Sequence, residues 1–464
     1  MTKKMSFSKI VGSASIGNIL EYYDFLLFVY LAPHISSLFF PPGDNLSALI
    51  AGLGIYALGY FMRPLGAILF GYIGDTYGRK KALTTSIIMM AIPTALIGCL
   101  PTYQSIGIFS PLLLTLCRLL QGLCVGGEYN GASIFVVENV EENRRTFAGS
   151  LITSSSALGG LVGSAVAGFV LLSFMPPWAW RGAFVAGAFI GIFGLYVRLK
   201  VSENNPIVPN HERAPFLEAV KNHPRSVLCT MGMAAFSGIM FHMSLSYISI
   251  FLATVKQWPL TQSLAVVSSG MVLYIALVPL VGRIADYYGS KKTMVSGTIA
   301  TIIGIYPALL LLTWSTSLPG VLLGVFLLVA LSAWFQAPMN YYMATLFPAK
   351  CRYSGVAFSY SLAMAMFGGT TSMILTFLIQ QTNNPLTCAF YVLFGACLGL
   401  PAIIKSKPIL SSDDPLSTEL VNGAEKTQVN FNTSRGTKKN VLLPKAASTR
   451  EPGGLPTRKK WMPT

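Results

Sequence analysis

The chain has 464 residues, of which 53% are hydrophobic and 11% charged, with a formal net charge of +16. Soluble domains carry about 25% charged residues, so this composition, with a mean hydropathy of +0.59, excludes an ordinary soluble domain and leaves length for many spans of roughly 20 residues. The positive excess does not describe a nucleic-acid surface, because lysines and arginines sit at the ends of apolar runs and in a C-terminal tail, not interleaved with aromatics on one face.

Lys3, Lys4 and Lys9 precede the first apolar run, but Glu21 and Asp24 interrupt it and no small-residue cleavage site follows. The expectation is an uncleaved first span. Apolar windows predict six helices in the first half, at roughly 10–33, 48–72, 83–100, 107–130, 147–173 and 181–200. Six more follow at roughly 226–252, 264–285, 292–313, 318–342, 353–379 and 386–404. Gly71 to Lys81 (GYIGDTYGRKK) recurs as Gly282 to Lys292 (GRIADYYGSKK), with seven of eleven positions identical, each time between two apolar runs. The same charged hairpin at the same point of two halves implies a duplicated bundle, an organisation typical of carriers.

The expected organisation is a six-helix bundle over 1–200, a connector over 201–225, a second bundle over 226–404 and a disordered tail over 405–464. Arg79, Lys80, Lys81, Arg144, Arg145, Lys291, Lys292, Lys350, Arg352, Lys405 and Lys407 all fall on one side of this arrangement. The positive-inside bias then places both termini and the connector in the cytoplasm. The seven cysteines form no CxxC pair, the four histidines are scattered, and neither an HExxH run nor a GK[ST] phosphate loop is present. No catalytic set, metal site or cofactor is expected, and neither an enzyme nor a nucleotide-driven pump.

Charged groups inside apolar helices each need a reason. Glu21 and Asp24 lie three residues apart and so share one helix face, as do Arg118 and Gln121. Arg63 falls near mid-membrane, about 18 Å from the Asp75 hairpin at 1.5 Å per residue. A carboxylate poised between burial and a neighbouring arginine can couple proton binding to a conformational change. The expected proton-coupling residues are Asp24 with Arg118 as its partner, then Glu21 and Glu128. Gly71, Gly74, Asp75, Gly78 and Arg79, with Asp286 and Arg352, are the expected gate. There, Asp75 would meet the start of the eleventh helix and Asp286 the start of the fifth, since helix N-termini attract negative charge. Gly126–Gly127 and the Gly159–Gly160…Gly163 cluster would let helices pack closely. Candidate solute contacts are Asn18, Tyr22, Arg63, Gln121, His242, Tyr247, Trp334, Asn340 and Tyr360. Among these, aromatic faces would suit a quaternary ammonium and an arginine would suit a carboxylate.

The first copy of the hairpin resembles the signature of the major facilitator superfamily. Gly17 to Phe25 (GNILEYYDF), Arg63 to Gly66 (RPLG), Arg118 to Glu128 (RLLQGLCVGGE) and Phe347 to Gly355 (FPAKCRYSG) resemble the metabolite:proton symporters within it. Tyr22 stands where that family usually has tryptophan, Thr76 and Ser290 where the hairpin often has arginine, and the tail lacks a coiled-coil pattern. The resemblance implies an all-α membrane protein with twelve transmembrane helices in two pseudo-symmetric bundles, the major facilitator fold. It implies proton-coupled symport of a small organic solute across a bacterial inner membrane by alternating access. The partners are then the solute, protons and the lipid bilayer, with no nucleic acid, and a monomer suffices. Proline or betaine is the favoured solute class, a di- or tricarboxylate such as 2-oxoglutarate or citrate the alternative, and a non-transporting solute sensor the reading from another class.

Overall fold

A computed structural model describes residues 6–77, 79–126, 128–200, 215–409 and Leu416. The predicted connector lies largely outside these residues and the predicted tail almost wholly, as does Gly78. Twelve long helical segments are present among the described residues. The first six are α1 (Phe7–Phe39), α2 (Asn45–Tyr77), α3 (Arg79–Cys99), α4 (Phe109–Asn139), α5 (Glu142–Val170) and α6 (Ala179–Lys200). The second six are α7 (Pro224–Thr254), α8 (Leu260–Tyr288), α9 (Ser290–Trp314), α10 (Leu318–Ala344), α11 (Arg352–Thr382) and α12 (Pro385–Lys405). Nine of them are long and apolar enough to cross a membrane by length and composition alone. Among the other three, α1 carries Glu21 and Asp24, which lower its apolar average without preventing a span whose charges face other helices.

The distribution of side chains is that of a protein solvated by lipid. Phe61, Leu65, Phe189 and Ile303 are exposed, whereas Asn18, Glu21, Asp24, Arg63, Arg118, Gln121 and His242 are buried. Backbone polar groups stay satisfied because almost every spanning residue is helical. Local signals set the ends. The Asp44 carboxylate accepts from the N–H groups of Leu46 (3.1 Å) and Ser47 (3.0 Å) ahead of α2. Those bonds, the Ser47 hydroxyl first, hold Asp44 below the ordinary carboxylate range. In the second copy of the repeated hairpin, Gly289 turns α8 into α9 at φ 96°, a conformation that residues with a Cβ avoid.

Within the first half α1 packs on α5, α2 on α4, and α3 on α6 and α4; within the second, α7 packs on α11 and α12, α9 on α10 and α12, and α8 on α10. The halves meet along α5 with α8 and along α2 with α11. Two π-helical turns, His242–Tyr247 in α7 and Met364–Gly368 in α11, interrupt regular winding near this seam. Such turns re-aim side chains and recur at functional sites.

Close helix crossings hold the polar residues in register. A Cβ on Gly122 of α4 would run into the carbonyl of Gly59 on α2, and one on Gly126 into the carbonyl of Arg63. A Cβ on Gly159 of α5 would collide with the carbonyl of Ile19 on α1. Gly122→Ala is therefore expected to cost about 1–3 kcal/mol through overpacking, read as a lower melting temperature of the detergent-solubilised protein. Gly182→Ala, where a Cβ would meet nothing within 4 Å, should leave the melting temperature unchanged; equal melting of the two variants would refute the tight crossing.

Candidate functional site

On α1 the two carboxylates, three residues apart, look into different surroundings. The Asp24 carboxylate turns into the first half, accepting from the Gln121 amide of α4 (2.6 Å) and the Thr94 hydroxyl of α3 (3.0 Å). The Gln121 amide also donates to Thr94 Oγ1 at 2.8 Å, so the three side chains form a closed cluster. Glu21 turns instead toward Arg63 of α2, with Oε1 3.5 Å from Nη2 and both residues nearly sealed from solvent.

Arg63 is positioned by its own helix and by α1. Its guanidinium carbon lies 3.9 Å from the centre of the Tyr60 ring and 4.5 Å from that of Phe25, so an aromatic side chain lies close to the cation on two sides. Such contacts recover part of the solvation that a buried cation has lost. Pro64, next in sequence, has no N–H to give the Tyr60 carbonyl, so the α2 backbone is loosened at this point.

Arg118 departs from expectation. No ion pair joins it to Asp24; its guanidinium lies 3.8 Å from the Phe28 ring centre, and its nitrogens have no hydrogen-bond partner among the described residues. It still acts on Asp24 electrostatically through space. Gln121, expected on the solute, is engaged by Asp24 and Thr94.

Across the seam from Arg63 stands His242 of α7. Its Nδ1 lies 2.9 Å from the Gly238 carbonyl, which can only accept, so Nδ1 carries a proton. In the neutral ring Nε2 is then an acceptor for the hydroxyls of Tyr60 (3.1 Å) and Tyr56 (3.3 Å), themselves 3.0 Å apart. Beside this trio is a chain of rings shared by both halves. Tyr22 contacts Phe241 (5.6 Å between centroids) and Tyr129 (6.1 Å), Tyr129 stacks on Tyr360 (5.3 Å), and Phe241 meets Tyr274 (6.3 Å). The centre therefore offers the Arg63 guanidinium, with Arg118 near the same Phe25 ring, and a group of electron-rich rings within one buried region, the two poles that a zwitterion requires.

Several expected solute contacts are placed elsewhere. The Asn18 amide docks on α5, donating toward the Ile152 carbonyl (2.9 Å) and the hydroxyls of Ser155 (2.7 Å) and Ser156 (2.8 Å). Trp334 is partly exposed on the far side of α10, its indole N–H donating to Ser296 at 3.0 Å. Tyr247 packs within the second half against Phe251 at 6.3 Å. Asn340 is central but committed: its amide nitrogen reaches the Tyr129 hydroxyl (3.0 Å) and Thr153 Oγ1 (3.0 Å), fastening α10 to α4 and α5. Glu128 opens the second segment of α4, partly buried. Tyr56, Tyr60, Phe25, Tyr129 and Thr94 were not anticipated. The signal for the two α2 tyrosines was their spacing, since residues 56, 60 and 63 share one helix face.

The two ends of the seam are both tied. At the end carrying the basic residues, Asp286 of α8 accepts from the N–H groups of Thr146 (2.8 Å) and Phe147 (3.0 Å) at the start of α5. There too Arg352 of α11 donates to the Glu138 carboxylate of α4 at 2.6 Å and to the Ala344 carbonyl at 2.8 Å. For Gly71, Gly74, Asp75 and Arg79 only helical backbone is described, so their side chains, like Gly78, lie outside the described residues. At the opposite end the Tyr30 hydroxyl donates to the Leu245 carbonyl at 2.9 Å, and Ser164 and Ser268 share a hydroxyl bond of 2.8 Å.

A family model described as Major Facilitator Superfamily matches residues 14–368 and again 235–426. A putative proline/betaine transporter of Staphylococcus haemolyticus is 33% identical over 417 residues, covering 87% of this chain and 88% of that protein. A proline/betaine transporter of Salmonella typhimurium is 30% identical over 420 residues, covering 86% and 83%. Among solved structures, the proton:xylose symporter XylE bound to 6-bromo-6-deoxy-D-glucose superposes with a TM-score of 0.69 at 15% identity, covering 86% of this chain and 94% of that one. XylE from E. coli in a partially occluded inward open conformation gives 0.65 at 16% identity, covering 86% and 96%. These structural matches carry the fold alone. With a family model over most of its length and relatives alike along nearly their whole length, the chain belongs to the major facilitator superfamily and is an integral membrane transporter, not an enzyme.

Proposed function

We propose that the protein carries a zwitterionic solute of the proline or betaine class inward across a bacterial inner membrane, together with protons, by alternating access between two six-helix bundles, 1–200 and 226–404, joined by a connector at 201–225. The observation that carries this reading is that Arg63, set against Tyr60 and Phe25, is buried in the same region as the linked Tyr22, Tyr129, Tyr360, Phe241 and Tyr274 rings at the seam. A carboxylate suits the guanidinium and a quaternary or secondary ammonium suits the ring faces. The names of the two relatives above support the same class.

Proton coupling is assigned to Asp24. Its carboxylate accepts from Gln121 and Thr94 and feels Arg118, so taking up a proton changes the attraction among α1, α3 and α4. With both termini in the cytoplasm, the Asp286 cap on α5 and the Arg352–Glu138 pair close the cytoplasmic end. Asp75 would act on α11 in the same manner.

The deciding experiment is uptake by purified protein in liposomes under an inward proton gradient, offering proline, glycine betaine, 2-oxoglutarate and citrate. Accumulation of proline or betaine that collapses with a protonophore supports the reading. Accumulation of 2-oxoglutarate or citrate replaces the solute class, and binding without flux replaces transport by sensing.

Asp24→Asn is expected to abolish gradient-driven accumulation while sparing solute exchange; unchanged accumulation would remove Asp24 from coupling. Arg63→Gln should weaken solute binding at least about thirtyfold, since breaking a buried charge pair costs about 2–5 kcal/mol. Asn18→Ala should instead lower the melting temperature with little change in solute affinity, and the reverse outcome would return Asn18 to the solute site. Asp286→Ala removes two charge-assisted bonds worth about 1.5–3 kcal/mol each, an expected loss of at least about a hundredfold in the closed population. A cysteine at Ser154, whose hydroxyl now reaches the Ile275 carbonyl at 2.9 Å across the seam, should then label faster in inside-out vesicles. Equal labelling would count against the cap as a gate.

A further inference from the structure

We infer that His242, in the second half, is a positioning residue for the solute-binding arginine of the first half. It acts through Tyr60, so that Arg63 takes up its solute-binding pose only while α2 and α7 are in contact. This rests on the zwitterion reading and deepens it, since it assigns the control of affinity at that same site.

The contacts run from α7 to the cation. Nδ1 of His242 gives its proton to the Gly238 carbonyl at 2.9 Å, which leaves the neutral ring a single acceptor, Nε2. One lone pair serves one good donor. Tyr60 is the nearer hydroxyl at 3.1 Å, Tyr56 lies at 3.3 Å, and the two hydroxyls are 3.0 Å apart. The arrangement that uses every proton has Tyr56 donating to Tyr60 and Tyr60 donating to Nε2. The imidazole is itself firmly seated. It opens the π-turn of α7, and a Cβ on Gly368 of α11 would lie 3.4 Å from its Cε1.

Tyr60 in turn fixes Arg63. Its ring centre lies 3.9 Å from the guanidinium carbon, and Phe25, at 4.5 Å from that carbon, meets the Tyr60 ring edge to face at 5.4 Å. A Cβ on Gly369 of α11 would strike the Tyr60 ring, so the second half bounds this ring by packing as well as by the hydrogen bond. A guanidinium carries its N–H groups in its plane and attracts rings at its faces. Setting the ring therefore sets the direction of the N–H edge, and that edge is what binds a carboxylate.

Tyr60 reaches its acceptor only across the seam. Parting α2 from α7 takes Nε2 away and frees the ring to turn off the guanidinium. Solute affinity is then high while the halves meet at this point and lower once they part. By linkage, bound solute favours the α2–α7 contact by the same factor. Release of the solute thus accompanies separation of the halves.

The test is calorimetric titration of the full-length protein in lipid nanodiscs with glycine betaine and with proline. Tyr60→Phe keeps the ring and loses the hydroxyl, while Tyr56 remains to satisfy Nε2. His242→Asn places an amide near Nδ1 but has nothing at Nε2. Each is expected to weaken solute binding about two- to tenfold, the worth of one neutral hydrogen bond, and the double variant no more than either alone. His242→Gln, whose side-chain carbonyl reaches the Nε2 position, should restore the wild-type affinity. Loss of imidazole packing is common to Asn and Gln, so a merely structural role would not separate them. Melting temperatures report which variants are folded. Additive losses in the double variant overturn the inference, as does wild-type affinity in folded Tyr60→Phe. Folded His242→Gln that binds as weakly as His242→Asn overturns it too. Should one position yield no folded variant, the other decides alone. Any of these failures in a protein whose wild type binds proline or betaine leaves the zwitterion reading intact. A wild-type protein that binds neither solute overturns both.

Discussion

A buried guanidinium is the constraint around which the centre is built. Moving Arg63 out of water costs several kcal/mol unless its charge and its faces are covered. The cover comes from three sources: Glu21 for the charge, and the Phe25 and Tyr60 rings for the faces. Glu21 and Phe25 are four residues apart on α1 and Tyr60 and Arg63 three apart on α2, so each helix presents its pair from one face. The third helix, α4, reaches this pair only because Gly122 and Gly126 let it lie against the α2 backbone. Small residues at the crossings and charged residues at the centre are thus one design, since a larger residue at Gly126 would push α4 away from the turn that carries Arg63.

Once Arg63 is fixed, the seam follows. Tyr60 covers the arginine with its ring and reaches His242 with its hydroxyl, so the first half carries its central cation on a side chain bonded to the second half. Tyr129 does the same in reverse, holding Asn340 at its hydroxyl while stacking on Tyr360. Each is a neutral contact of about 0.5–1.5 kcal/mol, enough to set the register of one half on the other. The π-turn that begins at His242 aims its ring across the seam.

Much of this was legible in the sequence, and what was not has a definite physical origin. Apolar runs place helices because bilayer thickness dictates their length, and the predicted spans fall on α1 to α12 to within a few residues except at the C-terminal ends of α1, which runs on to a buried Phe39, and of α4, which runs on to Asn139. The repeated hairpin was legible because one turn, at Gly289, demands a glycine. Side-chain destinations were less so. Asn18 and Glu21 lie three residues apart on one helix, yet one docks on α5 and the other pairs with α2; the choice depends on which neighbour supplies Ile152, Ser155 and Ser156. Trp334 looked like an interior aromatic, but hydropathy cannot tell the lipid face of a wholly apolar helix from its inner face, and α10 is apolar all round. Arg118 and Gln121 share a face as expected, but the shorter, neutral amide reaches Asp24 and the longer guanidinium lies on Phe28.

The two ends of the seam are closed by different chemistry, charged at one end and neutral at the other. The end bearing the basic residues is held by a carboxylate on two helix N-terminal N–H groups and by an arginine–carboxylate pair. Hydrogen bonds with one charged partner contribute about 1.5–3 kcal/mol each, and a helix N-terminus adds a few tenths to an anion placed on it. The opposite end is held by the Tyr30 hydroxyl on a carbonyl and by a serine pair, neutral bonds of about 0.5–1.5 kcal/mol each. When solvent reaches both, the neutral end gives way first. Helix α1, which carries Glu21 and Asp24, has both α2 and α5 as neighbours. Because α5 carries the N–H groups that Asp286 caps, a shift of α1 against α5 bears directly on the stronger lock.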